Sequence, residues 1–162
     1  MPDAPLPSPP PADLGVYFAL LEAAALVQHG VHGQLRDSGG LSFVQFQILA
    51  ALGEDPSTPR SMTELADRLV HSRSGLTYQV GQLEKAGLVV RTPSTADERS
   101  VEVTLSPAGA ALLERVIPGH IEVVRDVLVD ALDDADRAEL TRLLTIVARH
   151  GRARPPRSAR RP

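Results

Sequence analysis

Five polar side chains share one side of the segment that begins at Ser72, and their types are those that hydrogen-bond to the edges of base pairs. They are Arg73, Ser74, Thr77, Tyr78 and Gln82. Leu76, Val80 and Leu83 lie on the opposite side at helical spacing, which predicts an amphipathic helix. Short donors and acceptors on such a helix can distinguish the four base pairs in a major groove. The segment, including its cap Ser72, is therefore a candidate recognition helix.

The residues around this helix predict a winged helix-turn-helix. Ser61 and Glu64 form a capping box that begins a short preceding helix, and Gly87 supplies a left-handed stop after the recognition helix. Residues 88–92 and 100–105 have the composition of two short strands, with the charged tip PSTADER between them. The order of helix, turn, helix, strand, tip and strand is that of a winged helix.

A long apolar helix precedes this unit, from about Asp13 to about Arg36. A helix that is apolar almost all the way round is buried on both sides, as in a subunit interface. No basic segment precedes it, and the apolar run is shorter than the roughly 20 residues of a membrane span. We therefore expect neither a signal peptide nor a membrane helix, and a cytoplasmic protein.

Further helices complete the predicted order. Ser42 and Gln45 form a capping box that opens a helix ending near Gly53, and residues 58–60 could add a strand to the wing sheet. Ser106 and Pro107 start a long helix with apolar residues at core spacing: Leu112, Val116, Ile121, Val124 and Leu128.

A proline lies inside that long helix. Pro118 should bend it between Arg115 and His120 without ending it. Asp133 caps a last helix with an apolar seam that contains Leu140, Leu143, Leu144 and Val147. The predicted fold class is mainly α with a small β-wing, a winged helix-turn-helix flanked by long dimerisation helices.

The formal net charge of -3 is unevenly distributed. Residues 149–162 hold six arginines and no acid, so residues 1–148 hold eleven basic against twenty acidic groups, or -9. Within residues 60–105, six basic residues balance six acidic ones. Because affinity for phosphates depends on local charge, the neutral segment is compatible with DNA binding in an acidic protein.

Several classes of function are excluded by what the sequence lacks. It has no cysteine, which excludes thiolate metal sites and disulfides. It has no Gly-rich phosphate loop, nucleophile elbow or paired histidine-glutamate metal motif, so we expect no enzyme and no cofactor. His29 and His32 could share a face with His120, but a convincing third ligand is missing, and we expect no metal.

Four motifs together resemble the MarR (multiple antibiotic resistance regulator) family. The motifs are Ser72-Arg73-Ser74, Leu83-Glu84-Lys85-Ala86-Gly87-Leu88, Asp97-Glu98-Arg99-Ser100 and Leu105-Ser106-Pro107-Ala108-Gly109. The resemblance covers about residues 13–150. It divides them into dimerisation helices (13–40 and 106–150) and a winged helix-turn-helix (41–105), between a proline-rich, disordered segment 1–12 and a disordered arginine-rich tail 151–162.

The resemblance implies a homodimeric DNA-binding transcriptional regulator, a repressor, whose partner is a pseudo-palindromic duplex operator. The recognition role falls on Ser72, Arg73, Ser74, Thr77, Tyr78 and Gln82. Arg99 would enter a minor groove, with Asp97 orienting its guanidinium. A small lipophilic, phenolic or other aromatic ligand, bound in a pocket between the dimer helices and the DNA-binding lobe, would release the DNA. Candidate walls of this pocket are Tyr17, Phe46 and Ile117, and His32 or His120 could meet a carboxylate of the ligand. The alternative function is a winged-helix protein-interaction module without specific DNA binding.

Overall fold

Six α-helices and a three-stranded antiparallel sheet occupy the part of the chain that the computed structural model describes, residues 14–94 and 100–153. The elements are α1 (Leu14–Gly39), α2 (Phe43–Gly53), β1 (Arg60–Ser61), α3 (Met62–Leu69), α4 (Arg73–Lys85), β2 (Val89–Pro93), β3 (Val101–Leu105), α5 (Pro107–Val124), a π-helical turn (Arg125–Val129) and α6 (Asp134–Arg152). The strand order is β1-β3-β2. The predicted fold class is confirmed.

Side-chain caps begin five of these helices, and the sequence predicts all five. The hydroxyls of Ser42 and Ser61 accept from the backbone N–H groups of Gln45 and Glu64, whose side chains accept in return from the serine N–H groups. Ser72 caps α4 and Asp133 caps α6 without such a return bond. At α5 the Ser106 hydroxyl accepts from the Gly109 N–H at 3.0 Å. Each cap satisfies N–H groups that a helix cannot pair internally, so local sequence determines where these helices begin.

Some element bounds differ from those expected. Helix α1 continues to Gly39, and the chain breaks at Gly40, where φ is +63°. The small strand β1 consists of Arg60 and Ser61 instead of residues 58–60, because Arg60 pairs with Val103 of β3. A π-helical turn, which the sequence does not predict, follows α5. Bounds of this kind depend on which partner strand or helix is available.

The core gathers leucine, isoleucine and valine from α1 to α5 and from the sheet. Its most completely buried side chains are Val31, Leu35, Ile48, Leu49, Leu52, Leu65, Leu76, Val80, Leu83, Val103 and Val116. Leu112 and Val116 confirm the predicted core face of α5. The same spacing fails at Ile121, which is 51% exposed. Helical periodicity predicts an apolar face, but among residues 14–94 and 100–153 no packed element covers that face at Ile121.

Helix α1 is long and apolar enough to cross a membrane by length and composition. The expectation that its apolar run is too short is therefore wrong. One such helix is weak support for a membrane protein, because apolar core and interface helices have the same length and composition. Within the chain α1 buries mainly Val31 and Leu35, near its C-terminal end.

Helix α5 continues through Pro118, as predicted. Proline has no N–H and removes one backbone hydrogen bond from a helix. Next to it, the Gln34 side chain of α1 donates from Nε2 to the Val116 carbonyl at 3.2 Å. A Cβ at Gly119 would lie 3.0 Å from the same Nε2, so the glycine lets α1 approach closely. A polar contact from α1 thus supports the proline-containing turn.

The chain divides into two compact units between Val124 and Arg125. The second unit contains the π-helical turn and α6. Arg137 donates from Nε to the Leu132 carbonyl at 3.0 Å and holds the turn that precedes α6. The predicted seam of α6 is confirmed as an apolar strip, and several of its members are exposed, including Leu143, Leu144 and Val147. The expected division into dimerisation and DNA-binding segments stays a prediction.

The turn between α4 and β2 is bonded to the start of α5. Gly87 adopts a φ of +73°, and the N–H groups of Gly87 and Leu88 donate to the carbonyls of Glu84 and Leu83, which is a Schellman motif. Ser106 donates from Oγ to the Gly87 carbonyl at 2.7 Å and from its N–H to the Leu88 carbonyl at 3.1 Å. The end of α4 is thereby fixed against α5.

Replacing Gly109 with alanine should destabilise the protein by about 3 kcal/mol, because inserting atoms into a packed site forces a backbone shift. A Cβ at position 109 would lie 2.1 Å from the Leu88 carbonyl oxygen and 2.8 Å from Leu105 Cδ1. Urea unfolding at matched protein concentration measures the effect. The control is Gly81→Ala, where a Cβ meets nothing within 4 Å. That change should stabilise by about 1 kcal/mol. Equal stabilities of the two variants would contradict the close packing at Gly109.

Candidate nucleic-acid interface

The buried face of helix α4 fixes the orientation of the helix about its own axis. Leu76, Val80 and Leu83 are almost completely buried. The turn before α4 passes through Val70 in the left-handed conformation, with φ +56°, and the His71 N–H donates to the Ala66 carbonyl at 3.0 Å. This tight connection between α3 and α4 gives the helix-turn-helix arrangement that the sequence predicts.

The opposite face of α4 is exposed. Ser72, Arg73, Ser74, Thr77 and Tyr78 are exposed, and Gln82 is half-buried. The aromatic side chain of Tyr78 is 63% exposed. The structure therefore places five of the six predicted recognition residues in α4 and the sixth, Ser72, at its N-cap, and most of them are exposed.

The geometry changes the role expected of Thr77. Its hydroxyl donates to the Arg73 carbonyl one turn earlier, at 2.8 Å. A threonine hydroxyl has one proton, so Thr77 can offer a partner only acceptor lone pairs and its methyl group. Arg73 and Tyr78 retain donors for a partner. The sequence pattern contains no signal for this internal hydrogen bond.

The wing consists of β2 and β3, which pair from Val89 with Leu105 to Pro93 with Val101. Ser94 closes the hairpin: its N–H donates to the Ser100 carbonyl at 3.0 Å and its hydroxyl to Glu102 Oε1 at 2.8 Å. The predicted wing residues Asp97 and Arg99 lie outside the described residues. Their role stays a prediction.

An ion pair that the sequence reasoning missed joins α4 to the wing. Arg91 of β2 donates from Nε to Glu84 Oε2 at 2.8 Å, and its Nη2 contacts the same oxygen. The hydrogen bonds from Arg91 lower the pKa of Glu84, and Glu84 raises the pKa of Arg91. A separation of seven residues across a helix end and a turn has no simple periodicity, so the pairing is visible only in three dimensions.

An open cavity of about 480 Å³ lies between α1, α2 and α4. Its lining residues are Gln28, His32, Ser42, Phe43, Val44, Gln47, His71 and Gln79. His32, one of the predicted ligand-pocket residues, packs edge-on against Phe43 with ring centroids 5.6 Å apart. Gln79 belongs to the recognition helix, so an occupant of this cavity would contact α1 and α4 together.

The other predicted pocket residues lie elsewhere. Phe46 is buried and contacts His120, with ring centroids 4.3 Å apart. Tyr17 packs against Phe18 and is exposed, and Ile117 is also exposed. The structure thus pairs Phe46 with His120 and places His32 alone of the five in the lining of the cavity. Within residues 14–94 and 100–153, no group of three or more histidine and acidic side chains is arranged to hold a metal ion.

Comparison with known proteins identifies the same fold and family. The chain matches the MarR family over residues 39–100. It is 34% identical to the HTH-type transcriptional regulator PecS of Dickeya dadantii over 111 residues. The match covers 68% of this chain and 66% of PecS, which is just under two thirds of that protein. It is 33% identical to the HTH-type transcriptional repressor YetL of Bacillus subtilis over 121 residues, 75% of this chain and 72% of YetL.

A solved structure extends the likeness over most of the chain. Sco3205 of Streptomyces coelicolor, a MarR family transcriptional regulator whose structure is in complex with DNA, is 32% identical with a TM-score of 0.82. The match covers 91% of this chain and 95% of Sco3205. The likeness therefore includes the winged helix-turn-helix and the helices that flank it.

Protonation of His120 should destabilise the fold. Burial lowers the pKa of His120 below its usual 6.5, and its buried Nδ1 has no hydrogen-bond partner. The unfolded chain binds this proton more readily, so the contribution to stability is complete above about pH 6.5 and is lost as the pH falls through the folded-state pKa.

We expect the free energy of unfolding to fall less between pH 7.5 and pH 5 in His120→Gln than in the original chain. Carboxyl groups with lowered pKa, such as Glu64, titrate mainly below this window. The remaining histidines are common to both proteins, so the difference isolates position 120. Parallel stability curves, measured by urea unfolding, would show that His120 is not responsible.

Proposed function

Because the chain belongs to the MarR family of helix-turn-helix transcriptional regulators, we propose that it is a homodimeric repressor that binds a pseudo-palindromic operator and is released by a small aromatic ligand. As a regulator of this family it is not an enzyme. The observation that carries the proposal is α4, whose apolar side is buried and whose capped, polar side is exposed.

The exposed face of α4 is suited to a major groove. Arg73 and Ser74 lie in the first turn, where the backbone N–H groups and the helix dipole also favour phosphate oxygens. Thr77 and Tyr78 lie one turn further along and would meet base edges or the thymine methyl group. In this proposal the first turn positions the helix on the DNA, and the middle of the helix reads the sequence.

The wing would bind the flanking minor groove through Arg99. A planar guanidinium suits a narrow, electronegative groove, and a carboxylate two residues earlier, Asp97, can orient it. This assignment rests on the motif Asp97-Glu98-Arg99-Ser100 and on the position of the hairpin beside α4.

Exposed apolar surface supports the dimer. In the first unit, α1 exposes a series of large apolar residues in its N-terminal half: Leu14, Val16, Tyr17, Phe18, Leu20, Leu21 and Leu26. In the second unit, α6 exposes Leu143, Leu144, Ile146 and Val147. A concentration of exposed apolar residues on each of these two helices is typical of an interface with another protein. A second copy of the same chain is the partner that we propose, and two recognition helices would then meet half-sites about one helical turn apart.

Repression is proposed from the relative named as a repressor, YetL, and the site of action would be the cytoplasm, where the DNA lies. A mobility-shift assay on the DNA upstream of its own gene, together with sizing, tests the proposal. Binding at nanomolar protein by a dimer supports it. Absence of binding at low salt, with monomeric behaviour, would instead favour a winged helix that binds protein.

A ligand in the cavity between α1, α2 and α4 could control DNA binding. Phe43 and His32 offer ring surfaces, and Gln28, Gln47 and Gln79 offer amide donors and acceptors. A ligand changes DNA affinity only by its differential affinity for two spacings of the recognition helices. A 100-fold loss of operator affinity needs coupling of about 2.7 kcal/mol, and DNA must weaken ligand binding equally.

Replacing Thr77 or Tyr78 with alanine should reduce discrimination between operator and unrelated DNA, by about 1 to 3 kcal/mol for each good hydrogen-bonded base pairing that the change removes. Affinity for unrelated DNA should change little. Arg99→Ala is the contrasting variant, because a phosphate or minor-groove contact carries little base information. It should weaken binding to both duplexes and make the salt dependence shallower. If both α4 variants keep the preference for the operator, Thr77 and Tyr78 are not the residues that read its sequence.

An aromatic carboxylate should bind the free dimer more tightly than the operator complex. A suitable first compound is 6-hydroxynicotinic acid, which regulates the DNA binding of BpsR, a protein of Bordetella bronchiseptica with a similar fold. Titration calorimetry with and without operator measures the two affinities. Equal affinities would exclude that compound as an inducer, and no response across a broad aromatic panel would favour control by protein abundance.

A further inference from the structure

We propose that Glu84 and Arg91 are positioning residues that set the orientation of the wing relative to the recognition helix, and thereby the discrimination between operator and unrelated DNA. The proposal rests on the proposed function for its DNA readout. Neither residue is among the predicted recognition residues or in the wing tip.

Apolar packing holds only the base of the wing. Val89 and Val103 are buried, whereas the next four residues of β2, from Val90 to Pro93, are exposed, and so is Val101 at the start of β3. An open notch of about 270 Å³ lies beside this outer part, lined by Glu84, Arg91, Thr92, Pro93 and Val101. The ladder between β1 and β3 extends as far as Glu102 of β3 but does not reach β2. A further contact on β2 can therefore set the direction of the outer hairpin against α4.

The ion pair supplies that contact across the notch. Arg91 is the third residue of β2, and both Nε and Nη2 of its guanidinium reach Glu84 Oε2. Two donors from a planar group restrict direction as well as distance. The two side chains are each 35% exposed, so the pair is only partly screened by solvent. Ser94 hydrogen-bonds to Ser100 and Glu102 and so ties the end of β2 to β3. A contact that restrains Arg91 of β2 therefore also restrains β3.

The position of Glu84 on α4 connects the pair to DNA reading. Glu84 follows Thr77 by seven residues, which is about two helical turns, so the two lie on the same side of the helix. A free carboxylate on that side would repel phosphates, and Arg91 neutralises it. The pair thus holds the wing beside the reading face without placing a net negative charge there.

Two single variants separate positioning from charge. Glu84→Gln and Arg91→Gln alter net charge in opposite directions, so a purely electrostatic role would move DNA affinity in opposite directions. Positioning predicts that the ratio of operator affinity to unrelated-DNA affinity falls in both, by about five- to tenfold, as expected for breaking one coupled contact. The charge-swapped protein, Glu84→Arg with Arg91→Glu, should recover part of that ratio.

A matched control is available in the pair between Arg68 of α3 and Glu54 at the end of α2, which is also exposed. Glu54→Gln makes the same charge change as Glu84→Gln away from the wing, and it should leave the ratio unchanged. A ratio retained in Glu84→Gln, or lowered as much in Glu54→Gln, would overturn the proposal.

Hydrogen exchange of the free protein provides a readout that needs no DNA. Amides of residues 89–92 should exchange severalfold faster in Glu84→Gln and Arg91→Gln than in Glu54→Gln, because the outer hairpin loses its restraint. Unchanged exchange would overturn the positioning role, whatever the DNA result. If the original chain shows no sequence preference, the proposed function fails, and exchange still decides whether the pair orients the wing.

Discussion

Burial of one face of α4 is the constraint on which the interface depends. Leu76, Val80 and Leu83 are inserted in the core, and a helix with three such contacts one turn apart cannot rotate without opening cavities. Its polar side must therefore face outward. The same hydrophobic burial that stabilises the fold consequently presents Arg73, Thr77 and Tyr78 on a rigid element, which is how a well-defined recognition surface is made.

The connection between α4 and the wing extends that rigidity. The Schellman turn at Gly87 is bonded to Ser106, and Gly109 allows α5 to approach the Leu88 carbonyl. Helix α5 in turn meets α1, where Gln34 donates to the Val116 carbonyl. Helix α5 thus connects α1 to the end of α4 and to the base of the wing through these contacts. In the proposed dimer, a displacement of α1 would be transmitted to α4 along these contacts.

Among the described residues, the exposed apolar surfaces of α1 and α6 are the features that support the proposed dimer. Exposed leucine, valine and aromatic side chains are unfavourable in water, and their number on α1 exceeds what scattered surface residues account for. A partner that covers these surfaces would explain two departures from the sequence-based expectations. The regular spacing at Ile121 predicts burial that the described part of the chain does not supply. Helix α1 has the length and composition of a membrane helix, and an interface helix has the same length and composition.

The sequence alone determined what depends on neighbours along the chain. Caps at Ser42, Ser61, Ser72, Ser106 and Asp133, the left-handed Gly87 and the amphipathic face of α4 follow from hydrogen bonds and periodicity within a few residues, and they suffice for the fold class. The family follows from the combination of four short motifs, which the sequence also contains. Only the tertiary structure decided the contacts between distant segments. The pair of Glu84 with Arg91, the contact of Phe46 with His120 and the cavity beside Gln79 depend on how helices and strands pack. Local sequence cannot specify such contacts, because residues far apart in the chain form them only after the core has set the distances between the elements.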